Sequence, residues 1–166
     1  MRRALMALLA GGAVTLTGCS ATPPPEITFF ADGETATAVP LMYCDALVRS
    51  CEPIGDAATL KVRPGKPVQI SVPSEIAETP WLVNVQYLNA DGEVQPVKQE
   101  VFTTGDRLAY TITPDSPDDQ LVVVEIQQLS GAYAANQQDE PLLDESGQPQ
   151  LVVRGVWSLQ IDPVEA

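Results

Sequence analysis

Three cysteines carry the most distinct chemistry in this chain of 166 residues. Cys19 ends the run Leu16-Thr17-Gly18-Cys19, directly behind a charge-free segment that begins at Ala4 and follows Arg2 and Arg3. Roughly fourteen apolar and small residues make the h-region of a signal peptide and fall short of a membrane span. The thiol at that junction reads as a lipid attachment point, and residues 1–18 read as an address. Cys44 and Cys51 are then an even pair outside the reducing cytosol, which reads as a disulfide. Closing that short ring contributes about 2.5 kcal/mol through loop entropy. The pair lacks the C-x-x-C spacing of a redox centre, so it is expected to staple the excursion from Asp45 to Ser50 rather than to exchange electrons.

The other chemistry-bearing residues are poorly supplied. The chain has no histidine, which removes the commonest general base, zinc ligand and pH switch together. Lys61, Lys66 and Lys98 lie in segments that read as strand faces or turns, so Ser-Lys chemistry has no evident support. Asp115, Asp118 and Asp119, and separately Asp139, Glu140, Asp144 and Glu145, could offer oxygen ligands to calcium. Neither cluster matches the twelve-residue calcium loop, and solvated acidic turns account for both. With 22 acidic residues, carboxylate pairs at glycosidase-like separations arise by number alone. No catalytic residue, metal ligand or cofactor is assigned. Trp81 and Trp157 could line a groove, but both fall on apolar strand faces and read as core. Arg154 stands on the less apolar face of its strand, placed to pair with a carboxylate or touch a partner. Leu47 and Val48 top the stapled loop, a possible recognition surface, or a cross-linked turn whose leucine packs inward.

The formal charge is −13. Without Arg2 and Arg3 it becomes −15, with 22 acids against 7 bases. A field of that sign repels phosphate backbones and anionic headgroups, so no nucleic-acid partner is expected and only an acyl group need touch a bilayer. About 148 residues suit one domain. The expected organisation is a signal peptide at 1–18, a lipidated start and proline-rich spacer at 19–26, and one β-sandwich domain at 27–166. Pro23-Pro24-Pro25 favours extended polyproline II.

Strand signals recur along that domain. Ile27–Phe30 stops at Ala31-Asp32-Gly33-Glu34, a hairpin turn by composition. Thr59–Val62 and Val68–Val72 alternate in the same style on either side of the turn Arg63–Pro67. The segment from Pro73 to Pro80 is expected to be a single turn or loop. Trp81, Val83, Val85 and Tyr87 share one face, as do Leu151, Val153, Gly155, Trp157, Leu159 and Ile161. An edge strand is expected near Glu100–Thr103, another strand at Leu108–Ile112, and a central one at Leu121–Ile126 with Val122, Val124 and Ile126 inward. The stretch Ser130–Pro149 breaks the rhythm and predicts a short helix, a functional loop or a disordered excursion. About eight strands with Gly and Pro punctuation predict an all-β, immunoglobulin-like two-sheet sandwich.

The run ending at Cys19 resembles a bacterial lipobox, the signal for diacylation and exposure of the cysteine as a new N-terminus. Together with Pro25–Gly33, Cys44 and Cys51, Val62–Pro73 and Glu78-Thr79-Pro80-Trp81, the chain resembles an actinobacterial family of small exported lipoproteins of unknown function. That resemblance implies a cell-envelope location and supplies no catalytic residues. The expected function is that of a non-enzymatic lipoprotein on the extracytoplasmic face of the cell membrane. It would be held there by its lipid anchor and bind an envelope protein or a cell-wall or lipid component through loops at the sandwich end. The alternative is a carrier for a small or lipidic ligand held between the sheets, recognisable by an enclosed apolar cavity.

Overall fold

The computed structural model describes residues 23–164 apart from 104, 106, 139 and 144–146. The expected signal peptide and Cys19 lie outside the described residues. Ile27–Ala31 (β1) and Glu34–Ala38 (β2) form the first hairpin, turning on Asp32 and Gly33 with φ of 49° and 88°. Both angles are positive, as a type I′ turn requires, and an Asp-Gly pair adopts them at low cost. The Asp32 carboxylate is fixed from outside the turn: it accepts the Nε–H of Arg63 at 2.7 Å and pairs with the Nη2 group as well.

Met42–Cys44 (β3) and Cys51–Pro53 (β4) form a second, short hairpin. Ala58–Val62 (β5) and Val68–Ser71 (β6) alternate alike and flank one turn, yet they join different sheets. β6 pairs with β1, whereas β5 lies parallel to the last strand. The turn at Arg63–Pro67 therefore hands the chain from one layer to the other. Ser74–Ala77 (α1) is the expected single helical turn. It is followed by Trp81–Leu88 (β7), Lys98–Phe102 (β8), Ala109–Ile112 (β9), Gln120–Tyr133 (β10) and Leu151–Pro163 (β11).

The result is an all-β domain of two sheets. One runs β2-β1-β6-β9, the other β4-β3-β11-β10-β7-β8 with β5 on β11. Eleven strands among the described residues exceed the roughly eight expected, and β3 and β4, three residues each, are too short for a period-2 signal to show. Between the layers Ile27, Phe29, Val68 and Ile70 meet Trp81, Val83, Val124, Ile126, Trp157 and Leu159, all buried. Trp81 stacks on Phe102 at 4.2 Å between ring centroids, and Phe102 meets Tyr110 edge-on at 5.1 Å. Both tryptophans are core residues, as their strand faces implied.

Two expectations need correction. On β10 the buried set is Leu121, Val124 and Ile126, with Val122 only half-buried. Leu121 pairs with Tyr87 and Val123 with Gln86, so Val122 is an extra residue in a β-bulge, and a bulge inverts the alternation on its far side. The stretch Ser130–Pro149 contains no helix among its described residues. β10 continues to Tyr133, and the chain beyond keeps pairing: the Ala134 N–H donates to Gln150 O at 2.8 Å and the Leu142 N–H to Ala134 O at 2.7 Å. Its polar composition reflects a β-ribbon that runs past the end of the core, with Leu142 and Leu143 exposed.

Gly155 on β11 lies tightly under neighbours of its own sheet. A Cβ there would stand 2.6 Å from the Trp157 ring and 2.8 Å from that of Tyr43. Gly155→Val is thus expected to cost about 1–3 kcal/mol by overpacking, read as a lower urea midpoint at unchanged m-value. A second test concerns Asp32, whose carboxyl falls from 3.8 to about 2. The side-chain hydrogen bond from Arg63 is the main cause; partial burial opposes it, and the backbone N–H and charge of Arg63 assist. Since the folded-state value is the lower one, this carboxylate favours the native state above 3.8 and loses that effect as pH drops towards 2. Asp32→Asn keeps a residue that tolerates positive φ. Urea midpoints of wild type and variant should converge as the buffer is acidified through that interval; a constant gap would refute the assignment.

Candidate functional site

The β3–β4 hairpin builds one wall of an open cleft. Cys44 and Cys51 stand directly opposite each other across it and are joined in a disulfide. The loop between them is ordered by Asp45, whose Oδ1 accepts the Leu47 N–H at 3.1 Å and the Arg49 N–H at 2.8 Å. Those backbone bonds, Arg49 first, hold the Asp45 carboxyl below its ordinary range against partial desolvation. Leu47 is 59% exposed, so the tip points outward and does not pack as a core leucine would.

The cleft measures about 700 Å³. Its floor is Tyr43 and Arg154, and it is bounded by Pro23–Pro25 on one side, the hairpin with Cys44 and Glu52 on another, and Glu75 and Glu78 beside α1 on the third. Arg154 arrives there through a second bulge: Gln128 pairs with Gly155 and Leu129 with Val153, leaving Arg154 as the extra residue on β11. Bulges re-aim side chains. The guanidinium lies over the Tyr43 ring at 5.1 Å and its Nε–H reaches Cys44 O at 3.4 Å. The carboxylate partner considered for it is absent among the described residues, where the ion pairs join Arg49 to Asp45, Arg63 to Asp32 and Lys98 to Asp115. Cation–π contact with Tyr43 takes the place of a salt bridge.

Gln128 anchors the third side. Fully buried on β10, it donates from Nε2 to Glu75 O at 2.8 Å and Thr79 Oγ1 at 3.0 Å, tying α1 to the sheet. Sequence reading passed over Tyr43, Gln128 and the prolines as site residues. The signal for Gln128 was present, since it continues the inward series Val124 and Ile126 with a polar group that must then find partners.

The acidic clusters do not converge. Asp115 is engaged by Lys98, and Asp119 accepts the Ser116 N–H at 3.1 Å. Glu140 accepts from Asn136, while Asp139, Asp144 and Glu145 lie outside the described residues. Among the described residues no three His, Cys, Asp or Glu side chains gather to hold a metal ion. The space between the sheets is filled by Phe29, Trp81 and Trp157. Replacing Cys44 and Cys51 together by serine is expected to lower stability by at most about 2.5 kcal/mol in urea unfolding. It should also speed amide exchange at Leu47 and Arg49 selectively; protection of those amides that survives would refute the staple.

The family described as "Protein of unknown function (DUF2771)" matches residues 20–162. Uncharacterized proteins of Mycobacterium bovis and of two Mycobacterium tuberculosis strains are 27% identical to the chain over 160 residues, covering 95% of it and 90% of the relative. No solved structure matches. With nearly the whole sandwich inside the matched span, the chain belongs to the DUF2771 family, whose relatives here are uncharacterised actinobacterial proteins.

Proposed function

We propose that this protein is a non-enzymatic lipoprotein held on the extracytoplasmic face of the cell membrane by acyl chains on Cys19. Its sandwich is used as immunoglobulin-like domains are, with the loops and cleft at one end offered to another envelope protein or a cell-wall or lipid component. The observation that carries this reading is where the cleft lies. Pro23 follows Cys19 by four residues and already forms part of the cleft wall, so anchor and contact surface adjoin. The Cys44–Cys51 bridge supports an oxidising compartment, and the charge of the chain supports attachment by acyl groups alone, since an acidic surface is repelled by anionic headgroups. Two or three acyl chains suffice, whereas one holds only marginally.

Cells fed a labelled fatty acid should incorporate it into the wild-type chain and not into Cys19→Ala. The wild-type protein should also be cut by protease added to spheroplasts. Equal labelling of the variant, or recovery of the unprocessed chain from the cytosol, contradicts the anchor. For the contact surface, a photo-crosslinking residue at Glu52 should capture an envelope component on intact cells that the same residue at Thr35, on the opposite sheet, does not; equal capture at both positions contradicts the cleft.

A further inference from the structure

We infer that Pro23–Pro25 is a strap built into the domain, pinned by the indole of Trp157, so that the cleft and its proline wall form one body. An extended proline-rich segment of this kind is expected from sequence to be a solvated spacer. Here Pro24 and Pro25 are half-buried, and Trp157 Nε1–H donates to Pro25 O at 2.9 Å. Trp157 has no exposed surface. Its N–H is therefore a buried donor whose acceptor comes from outside the sandwich, and such donors are rarely left without a partner. Trp81 is a natural control within the same core: it is equally buried, and its Nε1 has no partner.

Three successive prolines suit the role. They carry no N–H groups, so the strap can lie on the domain without a neighbouring strand to satisfy donors. Their φ is fixed, so little conformational freedom is lost on docking. Pro23, Pro24 and Pro25 line the cleft together with Tyr43 and Arg154, so the strap is part of the surface offered to an occupant. Where the proposed anchoring of Cys19 holds, the consequence is spatial. Five residue steps from Cys19 to Pro24 reach at most about 18 Å, so the cleft takes its occupant within that distance of the bilayer surface.

The test uses the full chain in detergent with 15N-labelled tryptophan, comparing wild type with the variant Pro23→Gly, Pro24→Gly, Pro25→Gly. Exchange of the Trp157 indole N–H with D2O is expected to accelerate at least tenfold in the variant while the Trp81 indole stays within about twofold, because only the strap has been loosened. Unchanged exchange at Trp157, or equal acceleration at both indoles, overturns the inference. Uniformly 15N-labelled wild type gives a second reading that does not depend on the variant: the Glu26 amide should show the heteronuclear NOE of rigid backbone, and a value typical of a mobile tail overturns the strap. Neither measurement depends on acylation, so failure of the strap and failure of the anchor are told apart.

Discussion

The burial of Trp157 constrains more of this structure than any other single contact. Its ring occupies the middle of the core on β11, the strand that pairs with β10 on one edge and with both β3 and β5 on the other. Room for it is made two residues earlier, where glycine replaces any side chain. Tyr43 meets its edge at 5.9 Å, and that tyrosine in turn carries the Arg154 guanidinium. The polar end of the same ring reaches Pro25. One indole thus fixes the packing of the layers, the floor of the cleft and the approach of the N-terminal segment. Aromatic rings with a polar handle are suited to such junctions, since the body is stabilised by burial and the donor demands a specific partner.

How much of this was legible in the sequence depended on length and regularity. The alternation through Trp81–Tyr87 and Leu151–Ile161 placed both tryptophans correctly in the core, and Asp32-Gly33 identified its own turn. The class of fold followed from those strands. Bulges were invisible, because an extra residue leaves composition unchanged while inverting which side chains face inward. That is why Val122 was misplaced and why Arg154 was not seen to swing towards Tyr43. The ribbon after Tyr133 was also illegible: its strands pair with each other away from the core, so no hydrophobic face marks them. Parallel pairing of β5 with β11 joins residues about a hundred positions apart, which no local pattern encodes.

The candidate site was half legible. The cysteine pair flagged the hairpin, yet the cleft beside it is assembled from four separate stretches of chain, the proline segment, β3–β4, α1 and Arg154. Its members share no spacing and no common residue type. What binds them into a site is topology, since β3 docks on β11 next to Gly155 while Gln128 draws α1 towards the neighbouring strand. Membership of the DUF2771 family places relatives in mycobacteria.

The outer strands have a bearing on colloidal behaviour. β4 is three residues long and ends in Pro53, and β8 carries Lys98 and Glu100. Short, charged or proline-ended margins offer a poor template to the backbone of a neighbouring molecule. Backbone pairing between copies through these two margins of the larger sheet is therefore disfavoured, and their common negative charge would keep them apart.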